Sequence, residues 1–433
     1  MLVERTIPFA PLSQKHRDYI LGGIDSRISV AEGAIRSGKT INHCIIAALY
    51  LEGCPDKIHL ASGSTIGNAK LNIGVCNGFG LENLFRGRCK WGKFRDNEAL
   101  FIKTQTGDKV VVFAGGGKAD SYKRILGNSY GLWIATEINE HFDSTDSRTS
   151  FVKVAMGRQA AALKPMTLWD LNPCNPQHPI YENYIDRYRS EKLAGYQYQH
   201  FTMDDNLSIS PERQEAIKAQ YDINSVWYRR DILGLRCTAE GLIYQSFADK
   251  PSAYYTEQKV LPAMLRYIHI GVDFGGNKSG HAFVASGITR DWKLIVLRSQ
   301  RLDAKGIDTD ELIAALIKFA DGIKTDYGYV DGIYCDSAEQ TIINSIRNRA
   351  HYAVYNSLKN PIVDRIRATS LMMATNRFQL VAGQCDSLEV ALMEARWDDK
   401  KQDDVRLDDG TSDIDSLDAF EYSWEYYIRQ LAE

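Results

Sequence analysis

Gly33-Ala34-Ile35-Arg36-Ser37-Gly38-Lys39-Thr40 is the stretch on which the reading of this chain turns. It fits G-x-x-x-x-G-K-[ST], a loop whose backbone N–H groups turn inward toward phosphate oxygens. A β-prone run, Ile28-Ser29-Val30-Ala31, precedes it, and an apolar helical segment from Thr40 to Leu51 follows. That strand–loop–helix setting separates a phosphate loop from a chance pair of glycines. Gly33 and Gly38 let the backbone curl, and the helix opening near Lys39 adds the positive end of its dipole. Gly33, Arg36, Ser37, Gly38, Lys39 and Thr40 are therefore the expected nucleotide contacts. Lys39 is expected on the β/γ-phosphates and Thr40 on Mg²⁺.

Such a loop needs an acidic strand end, where one carboxylate steadies Mg²⁺ and the next orients water on the γ-phosphate. Leu132-Trp133-Ile134-Ala135-Thr136-Glu137 is the best candidate. Glu137 is the expected catalytic carboxylate, but Thr136 stands where an aspartate belongs. Either Mg²⁺ is held more weakly, or Asp170, at the end of the next strand Met166-Thr167-Leu168-Trp169, contributes. A shifted reading gives Glu137 to the metal and Glu140 to the water. Asn172, in Asp170-Leu171-Asn172-Pro173, is placed either to sense the γ-phosphate or to cap a turn before proline. Arg36, with Arg124 and Arg158, is a candidate for a transition-state arginine. Upstream, Gln14 can read adenine with its amide, and Phe9 or Tyr19 can stack on the base.

The rest of the first half fits a mostly parallel sheet. Lys57 to Ala61 and Val110 to Ala114 read as further strands, with helical segments between strands. Arg86 to Arg95 carries five basic residues interleaved with Trp91 and Phe94. It reads as a phosphate-tracking surface or as a solvated hairpin arm. Residues 174–262, rich in Tyr, Pro and charge, read as the end of the first domain and a linker.

A second α/β region opens at Tyr267 to Asp273, with Phe274-Gly275-Gly276 after it. Strands follow from Ala282 to Ser286 and Leu294 to Leu297, and Gly332 to Cys335 ends in Asp336. Helices fit 308–323, 339–350 and 361–376, and Phe378 to Leu380 is a short strand. Near the C-terminus, Ile414, Leu417, Phe420, Trp424 and Ile428 mark one apolar face of a single helix. Asp415 and Asp418 share a neighbouring face of it. Asp273, Asp336, Asp415 and Asp418 are candidate ligands for two Mg²⁺ or Mn²⁺ ions, which suit hard carboxylate oxygens and activate water for phosphodiester cleavage. The meander followed by α/β units points to a ribonuclease-H-like nuclease.

Composition sets the outer bounds. The 433 residues are 44% hydrophobic and 25% charged, with a net charge of −3. That is ordinary for a globular chain of two or three domains, and nucleic acid would have to be held by local basic patches. The eight cysteines are scattered without a C-x-x-C pair, which argues against zinc and for a reducing compartment. No run reaches the roughly 18 apolar residues of a membrane span, and Met1 to Arg5 is too polar for a signal peptide.

The two constellations, in this order, resemble the large terminase subunits of tailed bacteriophages, over most of the chain. Gly33 to Thr40 is similar to that family's Walker A loop, and Trp133 to Glu137 to its Walker B region, with Thr136 in place of the usual Asp. Leu171-Asn172-Pro173 resembles the coupling motif. Asp204-Asp205-Asn206 and Gly241 to Tyr244 resemble the passage into the nuclease. Asp273 and Asp336 match the first two nuclease acids, and Asp418-Ala419-Phe420-Glu421-Tyr422 the D-A-x-x-Y ending. Asp415 stands where many relatives carry His. The resemblance implies an N-terminal P-loop (RecA/ASCE-like) ATPase domain over 1–205, a linker or subdomain over 206–262, and a ribonuclease-H-like nuclease domain over 263–433. It implies ATP with Mg²⁺, and two Mg²⁺ or Mn²⁺ at the nuclease. Its implied partners are double-stranded DNA, a portal protein and a small terminase subunit. It implies a ring of five when docked, a monomer in solution, no membrane, and a place in the host cell cytoplasm. The competing readings are a helicase or repair translocase with a resolvase-like nuclease, and a nucleotide-gated portal-assembly protein with little turnover.

Overall fold

In the computed structural model, which describes residues 11–261, 265–275, 279–303, 307–401 and 403–432, the chain divides into two compact units. The first is Met1–Gln214 with Arg229–Cys237, and the second is Glu215–Tyr228 with Thr238–Glu433. Phe9 and Gly276 lie outside the described residues.

The first unit is built on eight strands: β1 (Ile28–Gly33), β2 (Ile58–Gly63), β3 (Cys89–Phe94), β4 (Asn97–Thr104), β5 (Gly107–Gly115), β6 (Leu132–Ala135), β7 (Met166–Leu171) and β8 (Tyr196–Phe201). They lie in the order β3-β4-β5-β2-β6-β7-β1-β8. From β5 to β8 every pairing is parallel, and β3-β4-β5 forms an antiparallel arm. β1, β6 and β7 are buried along their whole length; β6 is an unbroken apolar run, while β1 and β7 each carry a buried acid, Glu32 and Asp170. Their carboxyl ends lie at one edge of the sheet, where an open parallel sheet presents its binding crevice. β8 falls inside the stretch read as domain end and linker. Its Tyr-Gln alternation covers a half-buried edge strand, so it lacks the apolar run that marks its neighbours.

The basic segment 86–95 forms β3 and its flanks. Lys90 and Lys93 are exposed, but Trp91 turns inward onto Phe113, with ring centroids 4.9 Å apart, and Phe94 packs against the core. Of the two readings of this segment the hairpin arm is formed, β3 pairing antiparallel with β4, and its two aromatics pack into different clusters on opposite faces of the strand.

The second unit holds β9 (Tyr255–Thr256), β10 (Leu265–Asp273), β11 (Gly280–Thr289), β12 (Leu294–Asp303), β13 (Gly332–Cys335), β14 (Val354–Asn356) and β15 (Phe378–Val381) in the order β14-β13-β10-β11-β12-β15-β9. β10-β11-β12 is an antiparallel meander, and β13 and β14 join in parallel. That is the ribonuclease-H-like arrangement. Helices Thr309–Tyr327, Gln340–Arg349 and Ile362–Ala374 match the predicted segments within a few residues. The C-terminal helix does not run on as one. It spans Ile414–Tyr422, then a 3₁₀ turn at Glu425–Tyr427 leads to a short helix, Ile428–Ala432. Leu417, Phe420 and Trp424 are fully buried, so the apolar stripe is real while the axis breaks. Gly271 explains how closely Ile414–Tyr422 sits on the sheet. A Cβ there would stand 1.8 Å from the Ala419 carbonyl oxygen. Among the described residues no helix is long and apolar enough to cross a membrane.

Candidate nucleotide and acid-cluster sites

The phosphate loop leaves β1 at Gly33, whose φ of 144° and 1.8 Å clearance to the Phe201 carbonyl exclude a side chain. Arg36 (φ 56°) and Gly38 (φ 90°) are also left-handed, and the helix Lys39–Gly53 starts at once. Lys39 is buried and folds back over the loop. Its Nζ donates to the carbonyls of Gly33 (2.8 Å) and Ala34 (2.6 Å) and to Asn172 Oδ1 (3.1 Å). Burial pulls its pKa down to about 8, against the opposing pull of Asp170, Asp231, Glu32 and Glu137. Ser37 Oγ donates to the Ala34 carbonyl at 2.7 Å. Arg36 is exposed at the tip, and its carbonyl accepts from Asn206 Nδ2 at 2.6 Å.

Glu137 follows β6 in the left-handed region (φ 53°), a conformation costly for a non-glycine residue and typical of functional positions. Burial, then the Asp170 carboxylate, holds its pKa above the usual carboxylate range. Glu140 is exposed. Asp170 is buried in β7, next to both β1 and β6. Its Oδ1 accepts from Thr136 Oγ1 and from the Glu137 N–H, each at 3.1 Å. Phosphate loop, Glu137, Asp170 and Asn172 thus converge at one sheet edge.

The adenine readers do not fit that edge. Gln14 is exposed and tied within its own helix, donating to Asp18 at 2.6 Å and accepting from Arg17 at 2.9 Å. Tyr19 is buried, its hydroxyl 2.8 Å from His43 Nε2 and its ring edge-on to Phe201, so it has no face to offer a base. Arg124 is exposed in a 3₁₀ turn and Arg158 caps the helix Phe151–Gly157.

Sequence reasoning passed over a buried partner of the loop. Glu32, last before Gly33, is fully buried and accepts from Tyr181 (2.7 Å), Tyr198 (2.8 Å) and Arg236 (2.6 Å). Arg236 lies in the segment Arg229–Cys237 that returns to this unit, where the Asp231 carbonyl accepts from the Ile35 N–H at 2.7 Å. An acid inside an apolar strand was the available signal.

In the second unit, parallel pairing of Val272 with Cys335 brings the ends of β10 and β13 side by side, and with them Asp273 and Asp336. The helix Ile414–Tyr422 adds Asp418 and Asp415. Asp273 is 8% exposed, and its pKa is pushed up to about 8 by burial, then by Asp418, Asp336 and Asp415 in that order. The remaining acids face cations. Asp336 pairs with Lys359 at 2.5 Å, and Asp418 with Arg406 and, at 3.7 Å, Arg365. Asp415 pairs with Arg301 at 3.1 Å and accepts from the Gly280 N–H at 2.7 Å. Glu421, fully buried, joins Arg365 (2.7 Å) to Arg406 (2.9 Å). Glu425 receives the N–H groups of Leu358, Lys359 and Asn360, which holds the turn that carries Lys359. These arginines and Lys359 escaped the sequence reading because nothing in their local pattern marks them. Among the described residues no group of three His, Cys, Asp or Glu side chains stands in ligating geometry, each acid but Asp273 being turned to a cation or backbone N–H. The donor set is nonetheless all carboxylate oxygen around Asp273, an acid raised by burial and then by its neighbours, which suits a hard divalent cation.

The large terminase of a thermophilic bacteriophage matches with a TM-score of 0.75 at 21% identity, covering 95% of this chain and 98% of that one. The complexes of that terminase with ADP and with ATP-γ-S match over the same shares, with TM-scores of 0.73 and 0.72 at 22% and 21% identity. The fold is that of a bacteriophage large terminase. No protein-family model and no curated protein matches the sequence. The terminase fold thus rests on three-dimensional likeness, with the phosphate loop on the first sheet and the acid cluster on the second.

Proposed function

We propose that this chain is the large subunit of a viral DNA-packaging terminase, an ATPase and a DNA endonuclease in one polypeptide. The observation that carries the reading is the pairing of two sites on one chain of terminase fold. One is a phosphate loop facing Glu137 and Asp170, and the other is a cluster of Asp273 and Asp336, at the ends of two strands of a ribonuclease-H-like sheet, with Asp418 of the helix Ile414–Tyr422. ATP with Mg²⁺ would occupy the first, held by residues 33–40, with Glu137 orienting water, Asn172 sensing the γ-phosphate through its bond to Lys39, and Arg36 at the exposed tip. Mg²⁺ or Mn²⁺ would occupy the second on Asp273, Asp336 and Asp418, with Asp415 at its border; bound there, it supplies an activated water and charge neutralisation. Asp273 then sits where burial makes a bare carboxylate costly and a cation welcome.

Translocation of duplex DNA into a procapsid would use the first site, and cutting of concatemers the second. The working form would be a ring, of five subunits, on a portal protein, supplied with DNA by a small terminase subunit in the host cytoplasm. The ADP and ATP-γ-S complexes of the thermophilic phage terminase support the nucleotide assignment.

The test is a pair of assays on the purified full chain. Plasmid cleavage in Mn²⁺ should be lost in Asp273→Ala and Asp418→Ala and on chelation. ATP hydrolysis, measured with DNA and portal, should be lost in Lys39→Ala and Glu137→Ala. Cleavage that survives both aspartate substitutions sinks the nuclease; hydrolysis that survives the Lys39 change sinks the motor. Unwinding of a forked duplex would move the reading to a helicase or repair translocase.

A further inference from the structure

A phosphate-loop ATPase needs a carboxylate on the metal side of the nucleotide, and the end of β6 offers only Thr136. The structure brings one in from the next strand. Asp170 lies in β7, where register with β1 sets it opposite Ala31, beneath the phosphate loop. Its Oδ1 is fixed by two donors from the β6 end, the Thr136 hydroxyl and the Glu137 N–H, each at 3.1 Å. The hydroxyl of Thr40, the residue expected to meet the cation, lies beside the same carboxyl. Among the described residues Oδ2 meets no hydrogen-bond partner, although the side chain is 3% exposed.

That last fact is the informative one. A buried carboxylate oxygen without a donor is costly. Two donors fix one oxygen of Asp170, and its shell of donors is left incomplete at the other. A structural carboxylate in this place would be closed off by a second donor, as Glu32 is by Tyr181, Tyr198 and Arg236 in the same sheet. Thr136 then has a definite role. A hydroxyl is short, neutral and a donor, so it orients the neighbouring acid, whereas an aspartate there would set two carboxylates against each other in a buried place.

We infer that the metal-side carboxylate of this nucleotide site has moved one strand over: Asp170 of β7, oriented by Thr136, holds the divalent cation of the bound nucleotide together with Thr40. The inference rests on the nucleotide reading above. It assigns Asp170 to the metal, Thr136 to positioning Asp170, and Glu137 to the water.

The test measures binding rather than turnover. Affinity for a fluorescent ADP analogue is determined with and without Mg²⁺ on the full chain, and Mn²⁺ bound with ADP is followed by electron paramagnetic resonance. In the unaltered protein Mg²⁺ should tighten binding at least about tenfold. Asp170→Asn, which keeps shape, should abolish the gain from Mg²⁺ and that part of the Mn²⁺ signal that appears only when ADP is added, the Mn²⁺ held by the acid cluster without ADP being subtracted. Thr136→Val should lose part of the gain. Thr136→Asp combined with Asp170→Asn should recover it, because the carboxylate returns to the β6 end, and this arm also rules out misfolding as the cause of loss. Retention of the full Mg²⁺ gain in Asp170→Asn overturns the inference, as does a double variant with no recovery. Failure of the unaltered protein and of Lys39→Ala alike to bind nucleotide at all would overturn the nucleotide reading beneath it, a result distinct from bound nucleotide that ignores Asp170.

Discussion

Gly33 to Thr40 supplies most of one site from eight consecutive residues, while the other draws Asp273, Asp336 and Asp418 from two strand ends and a late helix. The phosphate loop works through backbone N–H groups, so its geometry is dictated locally, by left-handed residues and a helix start. The acid cluster has no local geometry. It exists because β10 and β13 pair in register and because Gly271 lets the helix Ile414–Tyr422 lie close on the sheet. The stabilising groups differ likewise. Lys39 bonds mainly within the motif, with Asn172 its one partner from outside it among the described residues, whereas Asp418 and Glu421 rely on Arg406 and Arg365 from separate segments. Local sites are thus robust to changes elsewhere, and assembled sites are exposed to them.

That contrast can be broken by experiment. Arg406→Ala should have the largest effect. It strips the fully buried Glu421 of one of its two cations, which costs about 3–5 kcal/mol for a buried pair. Hydrogen exchange should accelerate across Ile414–Tyr422 and leave Lys39–Gly53 unchanged; equal acceleration of both would deny the separation of the two sites. Lys39→Ala comes next. ATP hydrolysis should fall about 10²–10³-fold, the usual loss when a group that stabilises transition-state charge is removed. Plasmid cleavage in Mn²⁺ should stay within about twofold. A parallel collapse of cleavage would show that the sites share more than a chain.

Gly271→Ala sharpens the comparison further. Its new methyl meets the Ala419 carbonyl, and overpacking of this kind costs about 1–3 kcal/mol. Cleavage should drop with the thermal midpoint, while affinity for nucleotide holds. Smallest is Asn206→Ala, which removes the bond to the Arg36 carbonyl. About 1 kcal/mol is at stake, so nucleotide affinity should weaken by no more than about fivefold at unchanged cleavage. A larger loss would mean that the loop tip depends on distant support as the acid cluster does.

How much was readable follows from the same distinction. The P-loop, the strands around it and the acids at strand ends were legible because each carries its own periodicity or motif. The C-terminal stripe was legible in composition but not in continuity, since a stripe of apolar residues does not reveal the break after Tyr422. The stretch Arg86 to Arg95 kept two readings open because interleaved aromatic and basic residues look alike whether the rings face ligand or core; Trp91 and Phe94 face the core. Tyr19 was misread for a similar reason, its ring being committed to Phe201 and His43.

By itself the sequence determined that a phosphate loop opens the chain and that strand-end acids follow in a second α/β unit, because φ-permissive glycines, apolar runs and acid spacing act over a few residues. Only the tertiary structure decided which groups complete each site. Asp170 reaches Thr136 because β6 and β7 pair in parallel, and Arg406 reaches Glu421 because the chain folds back on the helix. Charge pairs across a fold depend on register and packing, which no local pattern of residues encodes.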